Sequence, residues 1–213
     1  MILPGVHGLG LFVVSAVLLN LTPGPDTLFI LGQAARGARA GSLAALGIGA
    51  GCLLHIAAAT VGLSALLVAS ASAFLIVKLA GAVYLVWIGL SMLRQGAPPA
   101  AAAGAAETGG GARIFLKGAL TNALNPKVAM FFLAFLPQFV DTAGPHRALA
   151  FFALGCLFNL TGTLWNLALA QLGAGAVRRS KRIARRADLF VRGVGALFVL
   201  LGLKLAFAAR RVA

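Results

Sequence analysis

Apolar residues run along this chain in six long stretches, roughly 8–34, 40–69, 72–94, 114–140, 147–175 and 189–209, and the segments between them hold most of its charge. A helix needs about 20 mainly apolar residues to cross the hydrocarbon core of a bilayer. Each stretch is long enough, which predicts an all-α transmembrane protein with a six-helix bundle. Between the third and fourth lies GAPPAAAAGAAETGGGAR, a stretch too rich in Gly, Ala and Pro to pack as an element of its own. It is expected to be a flexible cytoplasmic linker over 96–113, dividing the chain into a first three-helix repeat, 1–95, and a second, 114–213.

The two halves follow one plan: a long first helix interrupted near its middle, a second helix with small residues, then a third. The interruptions are Asn20-Leu21-Thr22-Pro23-Gly24-Pro25-Asp26 and Asn122-Ala123-Leu124-Asn125-Pro126-Lys127, and the two cysteines, Cys52 and Cys156, fall in the second helix of each half. Three is odd, so a repeated three-helix unit enters the bilayer in opposite senses, the inverted-repeat plan of many secondary transporters.

Charge then sets orientation. Arg36 and Arg39, then Arg94, Arg113 and Lys117, then the run from Arg178 to Arg192 cluster beside the first, third and fifth connections, with Arg147, Arg210 and Arg211 as exceptions. Basic residues near span ends stay on the cytoplasmic side. These connections are therefore expected in the cytoplasm and both termini in the periplasm. The segment MILPGVHGLGLFVVSAVLL lacks the basic start and the small-residue cleavage site of a secretory signal, and is read as part of the first span. A net charge of +14 raises the question of nucleic acid; the RRSKRIARR run could bind that or anionic lipid, but a topogenic anchor on the cytoplasmic leaflet explains it without a new partner. No nucleic-acid partner is expected. With 61% hydrophobic and 10% charged residues the composition excludes a soluble enzyme, and no spacing for a hydrolase triad, a disulfide framework or a metal site appears.

Chemistry is expected at the breaks. Proline lacks an amide hydrogen and clashes with the carbonyl four residues back, so Pro23 and Pro25 free the carbonyls of Leu19 and Leu21, and Pro126 frees that of Asn122. Non-helical backbone at membrane depth survives only when protein buries it or it lines a watery cavity. Each break is thus a packed kink or part of a site, and two at matching places favour a site. Counted from Arg36 and Lys117, both lie roughly 12–17 Å into the membrane at 1.5 Å per helical residue. Asp26 is the only acid well inside a span, which makes it a coupling candidate by default, with a helix cap as the structural alternative. Lys127 opens a half-helix whose dipole opposes it, so Asp26 or a substrate carboxylate is expected nearby.

Asn159, Thr163 and Asn166 recur on one face of the fifth span, as interhelical glue or as the wall of a pathway. His55 follows Gly47 and Gly51 at single-turn spacing and reads as a core histidine or a proton relay. Tyr84 and Trp87 read as packing residues or as part of the substrate lining.

Three stretches resemble the LysE/RhtB family of amino-acid exporters: LTPGPDTLFILGQAARGARAGSLAALGIGAG, GAVYLVWIGLSML and GALTNALNPKVAMFFLAFLPQF. The resemblance covers nearly the whole chain, and its specificity lies in PGPD combined with a later NPK, FF and PQF. It implies export of amino acids or their derivatives across the bacterial cytoplasmic (inner) membrane by proton antiport. The motif positions are Pro23, Gly24, Pro25, Asp26, Asn125, Pro126 and Lys127. It implies no cofactor and does not fix the substrate. A homo-oligomer is compatible with the sequence, which does not set the number of copies. Two alternatives are a cation or metal exporter, for which only Asp26, Cys52, His55 and Cys156 offer ligands, and a thiol-redox carrier using the two cysteines.

Overall fold

A computed structural model describes residues 3–96, 109–141, 143–178 and 181–210, and they are helical almost throughout. Most of the linker, 97–108, lies outside the described residues, as do the side chains of the basic run 178–187.

The first apolar run forms α1 (Leu9–Leu21) and α2 (Pro25–Ala34), bent by 52°. Thr22, which precedes Pro23, is extended, as a pre-proline residue prefers. Pro25 restarts the helix at its first position, where its missing N–H has no intrahelical role to fill. A glycine with φ 138°, Gly37, turns the chain into α3 (Ala38–Ala57), which continues through a π-helical turn at Ala58–Leu63 into α4 (Ser64–Ala69). α5 (Ala71–Gln95) runs back and ends at Gly96, whose φ of 66° suits only glycine with ease.

The fourth run repeats the device. α6 (Gly111–Ala123) and α7 (Pro126–Met130) meet at Asn125, whose Oδ1 accepts the amide of Lys127 at 3.0 Å as an N-cap. α7 continues through a π turn, Phe131–Phe135, and a 3₁₀ turn, Leu136–Phe139, for an overall bend of 43°. α8 (Arg147–Arg178) and α9 (Lys181–Arg210) complete the chain.

Among the described residues three helices are long and apolar enough to cross a membrane, and up to five spans result if each bent pair counts as one. The sixth apolar run falls within α9. Large side chains on outer faces, among them Leu54, Val61, Val83, Leu116, Leu164 and Leu200, are left exposed. In water such an apolar belt would be a liability; against lipid it is the surface that a span requires.

Small residues set the helix spacing. A Cβ on Gly47 or Gly51 would run into the carbonyl oxygens of Phe115 or Ala119, so α6 lies directly on the glycine face of α3. α5 packs along α9 in the same way. A Cβ on Gly89 would stand 2.6 Å from the Gly195 carbonyl oxygen, and one on Gly195 would stand 2.7 Å from that of Gly89.

Toward one end the bundle is sealed by phenylalanines. The Phe131 ring stacks on Phe158 at 4.8 Å and lies 5.0 Å from Phe135, while Phe139 sits 5.4 Å from Phe12. All five are buried. Just beyond them the chain before α1 pairs with the end of the fourth run: the His7 amide donates to the Phe139 carbonyl at 3.0 Å, and the Asp141 amide to that of Gly5 at 2.8 Å.

Candidate functional site

The break between α1 and α2 leaves carbonyls at the negative end of the α1 dipole. The Lys127 ammonium fills this position, donating to the Thr22 carbonyl at 2.9 Å and to the Leu19 carbonyl at 3.3 Å. The Leu19 carbonyl is one of the two that the prolines were expected to free. A residue of the second break thus caps the helix that ends at the first. Gly24 makes room for it, since a Cβ there would stand 3.1 Å from Lys127 Nζ.

The reciprocal contact runs from α6 to α2. Asn122 donates from Nδ2 to Asp26 Oδ2 at 2.8 Å, while Asp26 Oδ1 and Asn122 Oδ1 are buried without partners. Asp26 makes no backbone cap, because its one bond goes to Asn122. Asp26 and Lys127 form no direct ion pair; the ammonium is bonded to carbonyls instead. They share a small cavity of about 30 Å³, bounded also by Asn20, Asn122, Asn159, Thr163 and Asn166. That is space for a water or two.

The α8 stripe therefore faces the breaks. Asn159 donates to the Gly49 carbonyl at 3.2 Å and accepts from Thr163 Oγ1 at 3.3 Å, which links the stripe to α3 as well. His55 lies outside the cavity lining. Its Nε2 is 2.9 Å from the Asn122 carbonyl, the group freed by Pro126, and its ring packs 5.9 Å from that of Phe132. The glycine face of α3 places it there, because Gly47 and Gly51 bring α6 into contact one and two turns earlier.

Pro23, Gly24, Pro25, Asn125 and Pro126 line a second and larger cavity, of about 480 Å³, on the other side of Lys127. α5 supplies its opposite wall through Tyr84, Trp87, Ile88 and Met92, and it extends to Ser91, Gln95 and Gly96. Lys127 borders both spaces. The positions that sequence reasoning missed are Asn122, which holds Asp26, and Ile88 and Met92, which line the larger space. Asn122 stood inside the quoted break, yet nothing local to it named a partner 96 residues away.

Among the described residues no three of His, Cys, Asp and Glu come together, and Cys52 and Cys156 are free thiols.

The two bent helices thus meet around a half-buried acid, a lysine and amide side chains, the kind of interrupted-helix site found in membrane transport proteins. The profile of LysE type translocators matches residues 17–209, and the chain belongs to that family. It is a transporter and not an enzyme. An uncharacterised membrane protein of Pseudomonas aeruginosa is 36% identical over 212 residues, covering 96% of this chain and 97% of its own. Proteins named leucine efflux protein from Klebsiella pneumoniae and Salmonella typhimurium are 32% and 29% identical, covering 88% and 92% of this chain and 89% and 92% of their own. No solved structure matches.

Proposed function

We propose that this chain exports amino acids or amino-acid derivatives across the bacterial cytoplasmic membrane by proton antiport. The bundle would be two inverted three-helix repeats with cytoplasmic first, third and fifth connections and periplasmic termini. The observation that carries the reading is the crossed pair of contacts at the breaks, Lys127 on the carbonyls of Thr22 and Leu19 and Asn122 on Asp26. Relatives named for leucine efflux support the substrate class. Reciprocal packing of Gly89 and Gly195, third helix against third, supports the repeat.

A zwitterion carries both of the signs that the site holds apart. Its carboxylate exchanges for the two carbonyls on Lys127, and its ammonium takes the free Oδ1 of Asp26. Protonation of Asp26 from the periplasm weakens the ammonium contact and releases the solute. The neutral acid then returns inward and gives its proton to the cytoplasm, so one proton enters as one amino acid leaves. In this scheme the phenylalanine cluster closes the periplasmic end while the larger cavity extends toward the cytoplasmic end of α5.

The test is to load vesicles containing the purified protein with a panel of labelled amino acids and follow efflux under an imposed pH gradient, against protein-free vesicles. Efflux of at least one amino acid, accelerated by the gradient, is expected. If no member of the panel leaves faster than from empty vesicles, the reading is overturned.

A further inference from the structure

We propose that the 480 Å³ cavity is the side-chain subsite of the transporter and selects amino acids with apolar side chains, with Ile88 and Met92 setting the size that fits. This rests on the export reading and assigns a place to one part of the substrate. The volume falls within the roughly 300–1,000 Å³ of small-molecule sites. Its α5 wall is Tyr84, Trp87, Ile88 and Met92, and Leu28 and Val191 also line it. Among the described residues, Lys127 is the one charged residue that borders it. A charged side chain placed there would lose its water without gaining an opposite charge, and a lysine-like chain would meet Lys127 as a like charge. An apolar chain gains in proportion to the area it buries.

The groups that can hold the head of a substrate stand around Lys127. Lys127 lies at the boundary with the smaller cavity, and Asn125, which also lines the larger one, is fully buried with an Nδ2 that has no partner. These are the donors that a carboxylate needs. Beyond Lys127 the free Oδ1 of Asp26 is the acceptor that an ammonium needs. Donors and acceptor at one end and an apolar chamber at the other match an α-amino acid with an apolar side chain, and Ser91 and Gln95 mark a polar rim.

The experiment is counterflow of labelled leucine into vesicles containing the protein, competed by unlabelled alanine, valine, leucine, methionine, lysine and glutamate. Leucine, valine and methionine should compete about tenfold or more better than lysine or glutamate. In a size series, Ile88→Val should lower the ratio of the KM for leucine to that for alanine, and Ile88→Phe should raise it by roughly tenfold. A merely structural role for Ile88 would move both KM values together. Equal competition by lysine and leucine, or a ratio unmoved across the series, overturns the subsite while leaving export intact. Counterflow of lysine or glutamate without leucine does the same. If no amino acid exchanges at all, the export reading fails and the subsite with it. Displacement of leucine by a fatty acid but by no amino acid would show a lipid groove and also overturns it.

Discussion

Lys127 donates to the carbonyl of Thr22 across 2.9 Å, and these residues belong to the broken helices of opposite halves of the chain. The bond satisfies a carbonyl that the break removes from its helix and fixes where the two interruptions meet. Lys127→Met removes it and orphans the Thr22 carbonyl, for which the described residues give no other partner. A lost partner at a buried polar group costs about 1–3 kcal/mol. Purified Lys127→Met protein should therefore unfold at lower temperature in detergent and lose efflux. Gly24→Ala separates the two effects, because its extended backbone accepts alanine but its Cβ would stand 3.1 Å from Nζ. Stability should fall less than in Lys127→Met while efflux falls, and adding Gly24→Ala to Lys127→Met should bring no further loss, the mark of a shared contact.

Helix spacing should be more sensitive at some glycines than at others. Gly51→Val drives a side chain into the Ala119 carbonyl and displaces α6, so folded yield should collapse. Gly193→Ala meets nothing within 4 Å and should leave yield at or slightly above wild type, as alanine is the better helix former. Size-exclusion profiles of both variants check this.

Replacing Cys52 and Cys156 with alanine should leave efflux near the wild-type rate. Both are free thiols, and the proposed pathway asks nothing of their redox chemistry. Loss of function in the double variant would favour the thiol-redox carrier instead.

Much of this was legible in sequence because lipid imposes a strict demand on backbone groups. The two breaks, the bends and the α8 stripe follow from proline chemistry and helical spacing at Pro23, Pro25, Pro126, Asn159, Thr163 and Asn166. The partners did not follow. Lys127 called for Asp26 or a substrate carboxylate nearby, but depth and charge say nothing about which carbonyls lie within reach of a long side chain. Lys127 bonds to Thr22 and Leu19, and Asp26 to Asn122. His55 read as a core residue or a relay, and it is found on the Asn122 carbonyl because two glycines upstream bring α6 close. Tyr84 and Trp87 could not be assigned a lining role without the cavity, which two half-helices and α5 form only together.

The central claim is that Asp26 couples proton movement to solute movement through the oxygen left free beside Asn122. Asp26→Asn keeps the shape and a carbonyl oxygen but removes the titrating group. The most direct measurement compares two rates in vesicles containing this variant: efflux driven by an imposed pH gradient, and counterflow of labelled substrate with no gradient. The account predicts that gradient-driven efflux is lost while counterflow persists at a reduced rate. Asp26→Asn protein that still concentrates substrate against its gradient at the wild-type rate would contradict it.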